Sequence, residues 1–396
     1  MEIFFLLCLV FWIIFLGNLL RGLKNLESLD QFSLQLSGEL IPIKKILPKI
    51  SIVVAVKDEE RLIRGTLLNL LKLDYENLEI IVVNDRSTDQ TQKIIEEFTI
   101  DHQKFKVVKI SKLPEGWLGK VNALNEGTKI ASGDFLLYMD PGADIAGSVL
   151  EMSTKVCESY QLDHLTILPN ISPKSFWPDV LITTAFIFYV SSGRPWLAIS
   201  KRPIGAAKGV GQYNFVRRSF LSKTEGFEWL KMEVADDVGL AQLIASSGGK
   251  SHFMKTGNFK FDFNWYSTVK EIIYGLEKNT VGAFANYNLG LGVLIFLLTV
   301  FCSFYPLVAI FMFRSYFIIG CGIAYLLAIF IFSLVAKKWL KQPLGILLIL
   351  PLGISIIGYI LLRSSYLCFR NGGISWSGTF YPVDSLRKGK RIKFGF

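Results

Sequence analysis

Three acidic groups mark the positions at which this sequence could do chemistry. Two strand-like apolar runs end in Asp85 and Asp140, and the pair Asp236-Asp237 follows much later, ahead of a long apolar region. Carboxylates held at strand ends and at a helix start can hold a metal-bound diphosphate and can take the proton of an acceptor hydroxyl group. This combination favours sugar transfer at a membrane face.

The carboxylates at the strand ends have a chemical and a structural interpretation. Asp85 can accept hydrogen bonds from a uracil or a ribose, although Asp is also common in helix-capping turns. Asp140 and Asp144 offer the oxygen ligands that Mg²⁺ or Mn²⁺ prefers, although the Pro-Gly sequence between them is typical of a tight turn. The neighbouring acidic groups favour a metal site here.

Asp237 is the candidate general base, and Asp236 stands beside it. Removing the proton of an acceptor hydroxyl requires a carboxylate within hydrogen-bonding distance. The pair can also open the helix predicted for residues 238–246, and a helix N-terminus would keep a carboxylate ionised and able to accept a proton. The two interpretations are compatible.

A glycine-rich segment, Gly116–Lys120, precedes another predicted helix. Glycines at a helix start leave backbone amides free to face a phosphate, and Lys120 adds a mobile positive charge. The structural alternative is a cation on a solvated loop. The segment is therefore a candidate phosphate site.

Strands alternate with helices from Ile50 onward. Short β-branched runs predict strands at 50–56, 80–83, 105–110 and 135–139. Apolar residues at helical spacing predict helices at 59–73, 88–98 and 120–131, with Ser87 or Thr88 as the N-cap of the second. This alternation predicts a doubly wound α/β sheet, whose ligand site lies at the carboxyl ends of its strands.

The chain is more apolar than an ordinary soluble protein: 51% of its 396 residues are hydrophobic, and its mean hydropathy is +0.40. Ile3–Leu20 can cross a bilayer, and we interpret it as an anchor rather than a signal peptide because no basic residue precedes it and no cleavage pattern follows. Leu289–Leu362 predicts about three more spans, separated at Arg314-Ser315 and Lys337–Lys341. The expected division is an anchor (1–21), a connector (22–48), a catalytic domain (49–286), a membrane region (287–363) and a basic tail (364–396).

Asp179–Val190 is also very apolar. If this segment crossed the bilayer, Asp140 and Asp237 would lie on opposite sides of the membrane and could not form one site. We therefore expect a core helix or a helix that lies at the membrane interface.

The net charge of +10 does not indicate nucleic acid. Basic residues gather beside the apolar segments and in the tail, where they favour contact with anionic lipid heads. The five cysteines form no CxxC pair, which is typical of a reducing compartment, and three histidines are too few for a histidine-built metal site. The expected partners are a nucleotide-sugar donor, a lipid acceptor and the bilayer itself.

Arg21, Lys24 and the lysine cluster at 337–341 mark the cytoplasmic side of a multi-pass protein of the cell membrane, with a bacterial inner membrane expected. The catalytic domain then lies in the cytoplasm, where nucleotide sugars are made. Four alternating spans would leave the tail on the far side, although its charge and sequence favour the cytoplasm. Either one segment is re-entrant or the number of spans differs.

Several segments resemble glycosyltransferase family 2, which has the GT-A fold. Ser51–Glu60 resembles the opening of the family, Glu79–Asp89 its nucleotide-binding strand, and Gly116–Asn125 its phosphate-side loop. Gly209–Arg218 resembles the stretch that lines the donor and acceptor pocket. Within the family, Ser175–Trp177 and Gly372–Tyr381 are similar to the hopanoid-associated and carotenoid glycosyltransferase-like membrane branch.

The resemblance implies an inverting displacement in which Asp237 is the catalytic base and the neighbouring Asp236 is also a catalytic residue. It implies a UDP-sugar or similar donor, and Mg²⁺ or Mn²⁺ held by Asp140 and Asp144. The donor contacts that it implies are Val56, Lys57, Glu59, Asp85, Lys120, Asp140 and Gly211. The implied acceptor is a hopanoid, carotenoid or polyprenyl lipid.

The sequence departs from the family pattern at two places. The metal motif is normally Asp-x-Asp, whereas here Pro141-Gly142-Ala143 separates Asp140 from Asp144. The Arg-Trp signature of processive synthases is replaced by Gly275–Asn279, which favours transfer of one sugar rather than chain growth. The alternatives are a polyprenyl-phosphate or ceramide-type sugar transferase, and a catalytically lapsed relative that acts as a membrane partner.

Overall fold

Seven strands form the central sheet of the structure, a computed structural model that describes residues 2–38, 47–171, 175–200, 203–263, 265–312, 316–340 and 349–393. They are β1 (Ile50–Val56), β2 (Leu78–Asp85), β3 (Phe105–Ile110), β4 (Phe135–Tyr138), β6 (His164–Leu168), β7 (Asn214–Arg217) and β8 (Ser251–Lys255). Two antiparallel pairs stand apart: β5 (Ala143–Ile145) with β9 (Phe261–Phe263), and β10 (Gly373–Trp376) with β11 (Thr379–Pro382). The four strands expected from the sequence are confirmed.

Helices surround the sheet and extend away from it. In chain order they are α1 (Glu2–Asn25), α2 (Leu29–Gly38), α3 (Ile63–Leu71), α4 (Thr91–Thr99), α5 (Gly119–Ile130), α6 (Gly147–Ser159), α7 (Phe176–Gly193), α8 (Arg218–Leu221), α9 (Phe227–Leu230), α10 (Asp236–Ser246), α11 (Val269–Ala285), α12 (Leu289–Met312), α13 (Tyr316–Leu340), α14 (Leu350–Asn371) and α15 (Val383–Gly389). Short 3₁₀ turns lie at Pro195–Ser200 and Ile204–Ala206. One apolar cluster joins a face of the sheet to α3 and α6, and another joins the opposite face to α5 and α10.

The strand order is β3-β2-β1-β4-β7-β6-β8. β1 runs parallel to both β2 and β4, whereas β7 is antiparallel to its neighbours β4 and β6. Asp85, which ends β2, and Asp140, which follows β4, therefore lie at one edge of the sheet, as the α/β prediction requires.

Helix α4 begins at Thr91, not at the predicted residue 88, and Ser87 and Thr88 are not its N-cap. Both residues are used elsewhere: the Ser87 hydroxyl donates to Asn84 Oδ1 (2.5 Å), and the Thr88 amide donates to Asp58 Oδ1 (2.7 Å). These bonds tie the turn after β2 to the turn after β1, so the helix starts later.

Three described helices are long and apolar enough to cross a membrane, over Leu289–Val308, Tyr316–Leu334 and Leu350–Asn371. α1 adds a shorter apolar stretch, Leu6–Gly22. This confirms the expected apolar segments at the two ends of the α/β region. The predicted interruption at Arg314-Ser315 and the last lysine of the 337–341 cluster lie outside the described residues, whereas Lys337 belongs to α13.

The tail lies on the same side as the α/β region. α12 leaves that region, and α14 packs antiparallel to it: Gly292 lies against Ser365 and Gly358 against Thr299. α14 therefore runs back toward the sheet and delivers the tail to it. This agrees with the placement that the tail's charge and sequence favoured.

α13 runs in the same direction as α14, which differs from the strict alternation of four spans considered from the sequence. Trp12 of α1 contacts Tyr325 of α13, with ring centroids 5.2 Å apart, and Phe15, one turn further along α1, contacts Phe332 at 5.4 Å. α1 and α13 are therefore parallel. Both run toward the sheet, because the residue bridge Ser28–Lys255 joins the chain after α1 to β8.

Helix α7 is buried, as expected for Asp179–Val190. Val180 and Ile187 pack with α1, α13 and α14, whereas Leu181 and Val190 pack with the α/β region. α7 is not among the described helices that are long and apolar enough to span a membrane. α7 therefore lies between the apolar helices and the α/β region and contacts both.

The tail packs on the α/β region, and part of its charge is used there. Glu233 Oε2 accepts hydrogen bonds from the amides of Arg391 (2.7 Å) and Ile392 (3.1 Å), and the Arg387 guanidinium donates to the Tyr287 carbonyl (2.7 Å). Leu386 is completely buried. Contact with lipid heads, expected from charge alone, does not account for these residues.

The contacts of Glu233 predict that Glu233→Ala releases the tail. Loss of this buried carboxylate removes the acceptor of three amides, those of Arg391 and Ile392 in the tail and that of Ala235, at a cost of roughly 1–3 kcal/mol for each unsatisfied group. We expect trypsin to cleave at the tail's basic residues about fivefold faster or more, measured by intact-mass analysis of protein in detergent. Glu228→Ala is the matched control, because Glu228 is exposed and, among the described residues, its carboxylate pairs only with Lys231 (3.8 Å). Equal cleavage of both variants would contradict the docking described here.

Candidate active site

Lys120 joins two of the acidic groups that the sequence singled out. Its amine lies 2.8 Å from Asp140 Oδ1 and 3.1 Å from Asp236 Oδ2. Burial lowers the pKa of Lys120, but the charges of Asp140, Asp236 and Asp237 outweigh burial and raise it above its usual range. Lys120 is therefore a fixed cation between carboxylates rather than the mobile charge of a solvated loop.

Asp237 opens helix α10 beside this pair. Its Oδ1 accepts a hydrogen bond from the Val238 amide (2.8 Å). Burial, and after it the charge of Asp236, raises the pKa of Asp237 to about 7, although Lys120 and the Val238 amide act in the opposite direction. A carboxylate with a pKa near 7 suits a general base, because it is ionised at neutral pH and still holds a transferred proton.

The turn before β7 touches both aspartates through glycines. A Cβ added to Gly211 would lie 2.3 Å from Asp140 Oδ2, and one added to Gly209 would lie 1.9 Å from the Asp237 carbonyl oxygen. The Gly211 carbonyl also accepts the Asp140 amide hydrogen (2.9 Å). Only glycine allows this close approach, so the turn fixes the two carboxylates relative to each other.

A buried hydrogen-bonded chain supports this turn. Asn214 donates to the Val210 carbonyl (3.0 Å) and accepts from His164 Nε2 (3.0 Å), while His164 Nδ1 accepts from the Ser251 hydroxyl (2.7 Å). Burial lowers the pKa of His164 to about 4, so the ring is neutral in this arrangement. The histidine is structural and lies beneath the site.

The predicted nucleotide end lies at the start of α5. Both oxygens of Asp85 accept from Arg86, at 2.7 and 2.9 Å, and a Cβ on Gly119 would lie 2.3 Å from Asp85 Oδ2. The Gly119 amide donates to the Tyr381 hydroxyl (3.0 Å), which comes from the C-terminal β10–β11 hairpin. Asp85 and the glycine loop are therefore together, as predicted, and the hairpin covers them.

The turn after β1 brings two more predicted residues to this edge. Val56 is buried at the end of the strand. Burial and then the charge of Arg86 lower the pKa of Lys57. Burial and then the charge of Asp140 raise the pKa of Glu59, so Glu59 belongs to the same acidic group.

Asp144 does not join the other carboxylates through any described contact. It lies in β5, and its Oδ2 is 2.9 Å from the amine of Lys260. In the described part of the chain, no three His, Cys, Asp or Glu side chains converge on a possible metal position. A metal here would need oxygen ligands from a bound phosphate as well as Asp140, which is a common way for proteins to hold Mg²⁺.

Two lysines that the sequence did not single out also face this group. Lys278 of α11 lies 3.9 Å from the centre of the Trp376 ring. Lys208 is buried, with its amine 5.6 Å from the Tyr189 ring centre; burial lowers its pKa to about 8 against the opposing charge of Asp237. Lys278 and Trp376 belong to the segments 275–279 and 372–381 named in the sequence analysis, but their local sequences do not predict the contact between them.

A cavity larger than the one at the acidic edge lies at the opposite end of the strands. It measures about 810 Å³, and its lining includes Lys49, Glu158 and Arg217. These charges already have partners: Lys49 pairs with Glu79 (3.3 Å) and Arg217 with Glu158 (2.9 Å). The acidic edge, where burial and neighbouring charges shift the pKa values of Lys120, Asp237 and Glu59, is the better candidate although its cavity is smaller.

Residues 51–144 match the model of glycosyl transferase family 2. This segment contains β1 to β5 and therefore Asp85, Lys120 and Asp140. The match confirms the family that the sequence resembles over this segment, which is less than half of the chain, and the sheet described above agrees with a GT-A glycosyltransferase domain there.

The chain is similar to a beta-monoglucosyldiacylglycerol synthase of Nostoc sp., with 29% identity over 49% of this chain and 40% of that protein. It is also similar to a poly-beta-1,6-N-acetyl-D-glucosamine synthase of Staphylococcus epidermidis, with 39% identity over 23% of this chain and 21% of that protein. The chain thus spans less than half the length of these relatives. A solved mannosyltransferase of Pyrobaculum calidifontis, bound to GDP-Man and Mn²⁺, aligns over 90% of this chain and 98% of its own, with 14% identity and a TM-score of 0.46.

The packing of Gly211 predicts that Gly211→Ala destabilises the protein. The added methyl group must displace the Asp140 carboxylate, and overpacking of this kind costs about 1–3 kcal/mol. We expect a lower melting temperature in detergent. Gly65→Ala is the matched control, because nothing lies within 4 Å of a Cβ there and the residue is in helix α3, where alanine is favoured. A Gly211→Ala variant as stable as Gly65→Ala would contradict this geometry.

The raised pKa of Asp237 predicts an effect on stability with a definite sign. A carboxyl group whose folded pKa lies above its unfolded value of about 3.9 destabilises the fold as pH rises from 4 to 7. Asp237→Asn should therefore melt several degrees above wild type at pH 8 with EDTA present, and this difference should shrink at pH 5. Asp101→Asn, at an exposed turn, should show no such pH-dependent gain. An Asp237→Asn variant that is less stable at pH 8 would refute the raised pKa.

Proposed function

We propose that the protein is a membrane-bound glycosyltransferase that moves one sugar from a nucleotide-sugar to a lipid acceptor with inversion. The observation that carries this proposal is the contact of Lys120 with Asp140 and Asp236, which places a residue of the family 2 segment beside the candidate base Asp237. Helices that are long and apolar enough to cross a membrane pack against α7, and α7 packs against the same domain.

In the proposed reaction, Asp237 removes the proton of the acceptor hydroxyl. The acceptor oxygen forms a bond to the anomeric carbon of the sugar while the bond from that carbon to the diphosphate oxygen breaks. The electron pair of the broken bond leaves with the nucleoside diphosphate, and the proton stays on Asp237. Because one displacement occurs on the face opposite the leaving group, the configuration at the anomeric carbon inverts.

Asp140 would hold a divalent cation, Mg²⁺ or Mn²⁺, together with the donor's own phosphate oxygens. Such a cation neutralises charge on the departing diphosphate when it is bound. Asp140 Oδ2 packs against Gly211, where a Cβ would lie 2.3 Å from it, so only glycine leaves this carboxylate in its present position. The role proposed for Asp144 is weaker, because Lys260 competes for it.

The remaining predicted contacts divide between the two ends of the donor. Asp85, Lys57, Val56 and Glu59 surround the position of the nucleoside. Gly211 and Asp140 surround the position of the sugar and its phosphates. This division follows from their places along one edge of the sheet, with Asp236 and Asp237 at the acceptor side.

A lipid acceptor is supported by the packing of α7 between the membrane helices and the site. Its far end reaches Tyr189, whose hydroxyl donates to the Gly209 carbonyl (2.7 Å) in the turn that contacts Asp237. The Nostoc relative is named for a glucosylated diacylglycerol, which is a lipid. A hopanoid, carotenoid or polyprenyl lipid remains our proposed acceptor class, at the cytoplasmic face of a bacterial inner membrane.

The test is transfer of labelled sugar in lipid nanodiscs made with bacterial lipid extract. A panel of labelled UDP-sugars and GDP-mannose is supplied with Mn²⁺, and wild type is compared with Asp237→Asn and Asp101→Asn. We expect label in the lipid fraction for wild type and Asp101→Asn, and a rate about a hundredfold lower or more for Asp237→Asn. Between pH 5 and 7 the wild-type rate should rise with pH as Asp237 ionises.

The outcomes separate the alternatives. Equal transfer by Asp237→Asn would exclude this residue as the base. Label in a polymer rather than in single-sugar lipids would contradict transfer of one sugar. Absence of both transfer and nucleotide binding in wild type would overturn the enzyme proposal in favour of a lapsed relative.

A further inference from the structure

The position of Lys120 leaves the diphosphate of a donor without an obvious protein cation. Lys120 is shared by Asp140 and Asp236, at 2.8 and 3.1 Å, so its charge is already balanced by two carboxylates. A nucleoside diphosphate brings further negative charge to an edge that already holds Glu59 and Asp237. In the proposed reaction a divalent cation at Asp140 would balance part of this charge, and a further cation at this edge would balance more of it.

Lys278 is the cation that the structure places there. It lies on α11 and makes no ion pair with a described carboxylate, while its amine packs on the face of the Trp376 ring at 3.9 Å from the ring centre. Burial, and then the charge of Lys120, lowers the pKa of Lys278 to about 8, although Asp140, Asp236 and Asp237 act in the opposite direction. The charges of Lys120 and of the three aspartates thus act on this amine.

Separate contacts hold the helix that carries Lys278 and the hairpin that carries Trp376. The neighbouring Glu277 accepts from Arg363 Nε (2.8 Å), and the Ser364 hydroxyl donates to the Glu277 carbonyl, so α11 is tied to α14. Trp376 belongs to the β10–β11 hairpin. The other strand of that hairpin carries Tyr381, which contacts the Gly119 amide. One hairpin therefore contacts both Lys278 and the predicted phosphate loop at Gly119.

We propose that Lys278, stacked on Trp376, binds the diphosphate of the donor and of the leaving nucleoside diphosphate, while Lys120 serves to hold the carboxylates together. An ammonium group that stacks on an indole ring still has N–H groups that can donate to a phosphate. The N–H groups of an ion-paired lysine are already used by carboxylates. This inference rests on the proposed function. It adds a donor-binding residue from outside the family 2 segment and a role for the C-terminal hairpin.

The test is calorimetric binding of UDP, and separately of uridine, to the full chain in nanodiscs, with GDP and guanosine used in the same way if wild type prefers them. Lys278→Gln should weaken binding of the diphosphate about tenfold or more and leave the affinity for the nucleoside unchanged, because only the diphosphate loses a charge-assisted hydrogen bond. Lys278→Arg should retain most of the affinity. Trp376→Leu should weaken diphosphate binding in the same selective way, and Trp376→Phe should do so less.

Lys270→Gln is the matched control. Lys270 is also on α11 and also faces an aromatic ring, 6.0 Å from the centre of Tyr274, but that tyrosine is exposed. The control removes the same charge from the same helix, so it should leave UDP affinity unchanged. If Lys278→Gln binds the diphosphate as tightly as Lys270→Gln, the proposal is refuted while the proposed function stands. If wild type binds no nucleoside diphosphate at all, the proposed function itself fails.

Discussion

The interaction on which the rest of the site depends is the pairing of Lys120 with Asp140 and Asp236. Three carboxylates at one edge of a sheet repel each other, and burial increases that repulsion. One fixed ammonium group, 2.8 Å from Asp140 and 3.1 Å from Asp236, offsets that repulsion and holds the two carboxylates together. Burial, and after it the charge of Asp236, raises the pKa of Asp237 to about 7, although the charge of Lys120 acts in the opposite direction. The cluster thus holds a carboxyl group that can exchange a proton near neutral pH beside an ion-paired lysine.

The membrane helices are part of the site rather than an attached anchor. α14 holds α11 through Arg363 and Glu277, and α11 carries Lys278. The chain after α14 folds into the hairpin that contacts Gly119 and then into the tail that binds Glu233. α14 is therefore linked by contacts to α11, to the start of α5 and to the region before α10. A lipid acceptor and a water-soluble donor can meet at such a junction.

The sequence predicts those parts of the structure that depend on local patterns. β-branched runs and helical spacing locate β1 to β4 and the helices between them, and the strand ends identify Asp85 and Asp140. The pair Asp236-Asp237 is found because two acids before an apolar helix are unusual. Lys120 is predicted as a site residue, but its ion pairs with Asp140 and Asp236 are not predicted, because these partners lie 20 and 116 positions away in the sequence. Lys278 and Trp376 are separated by nearly a hundred residues and by the membrane helices, so no local pattern reveals their contact. The parallel course of α13 and α14 likewise depends on packing that length and hydropathy do not encode.

The central claim is that the donor binds at the acidic edge, and crystals of the protein grown with Mn²⁺ and UDP test it most directly. The account predicts an anomalous manganese peak beside Asp140, with the diphosphate between that ion and Lys278 and the uracil near Asp85. A nucleotide bound instead in the cavity of about 810 Å³ near Lys49 and Arg217, with no manganese beside Asp140, would contradict the account.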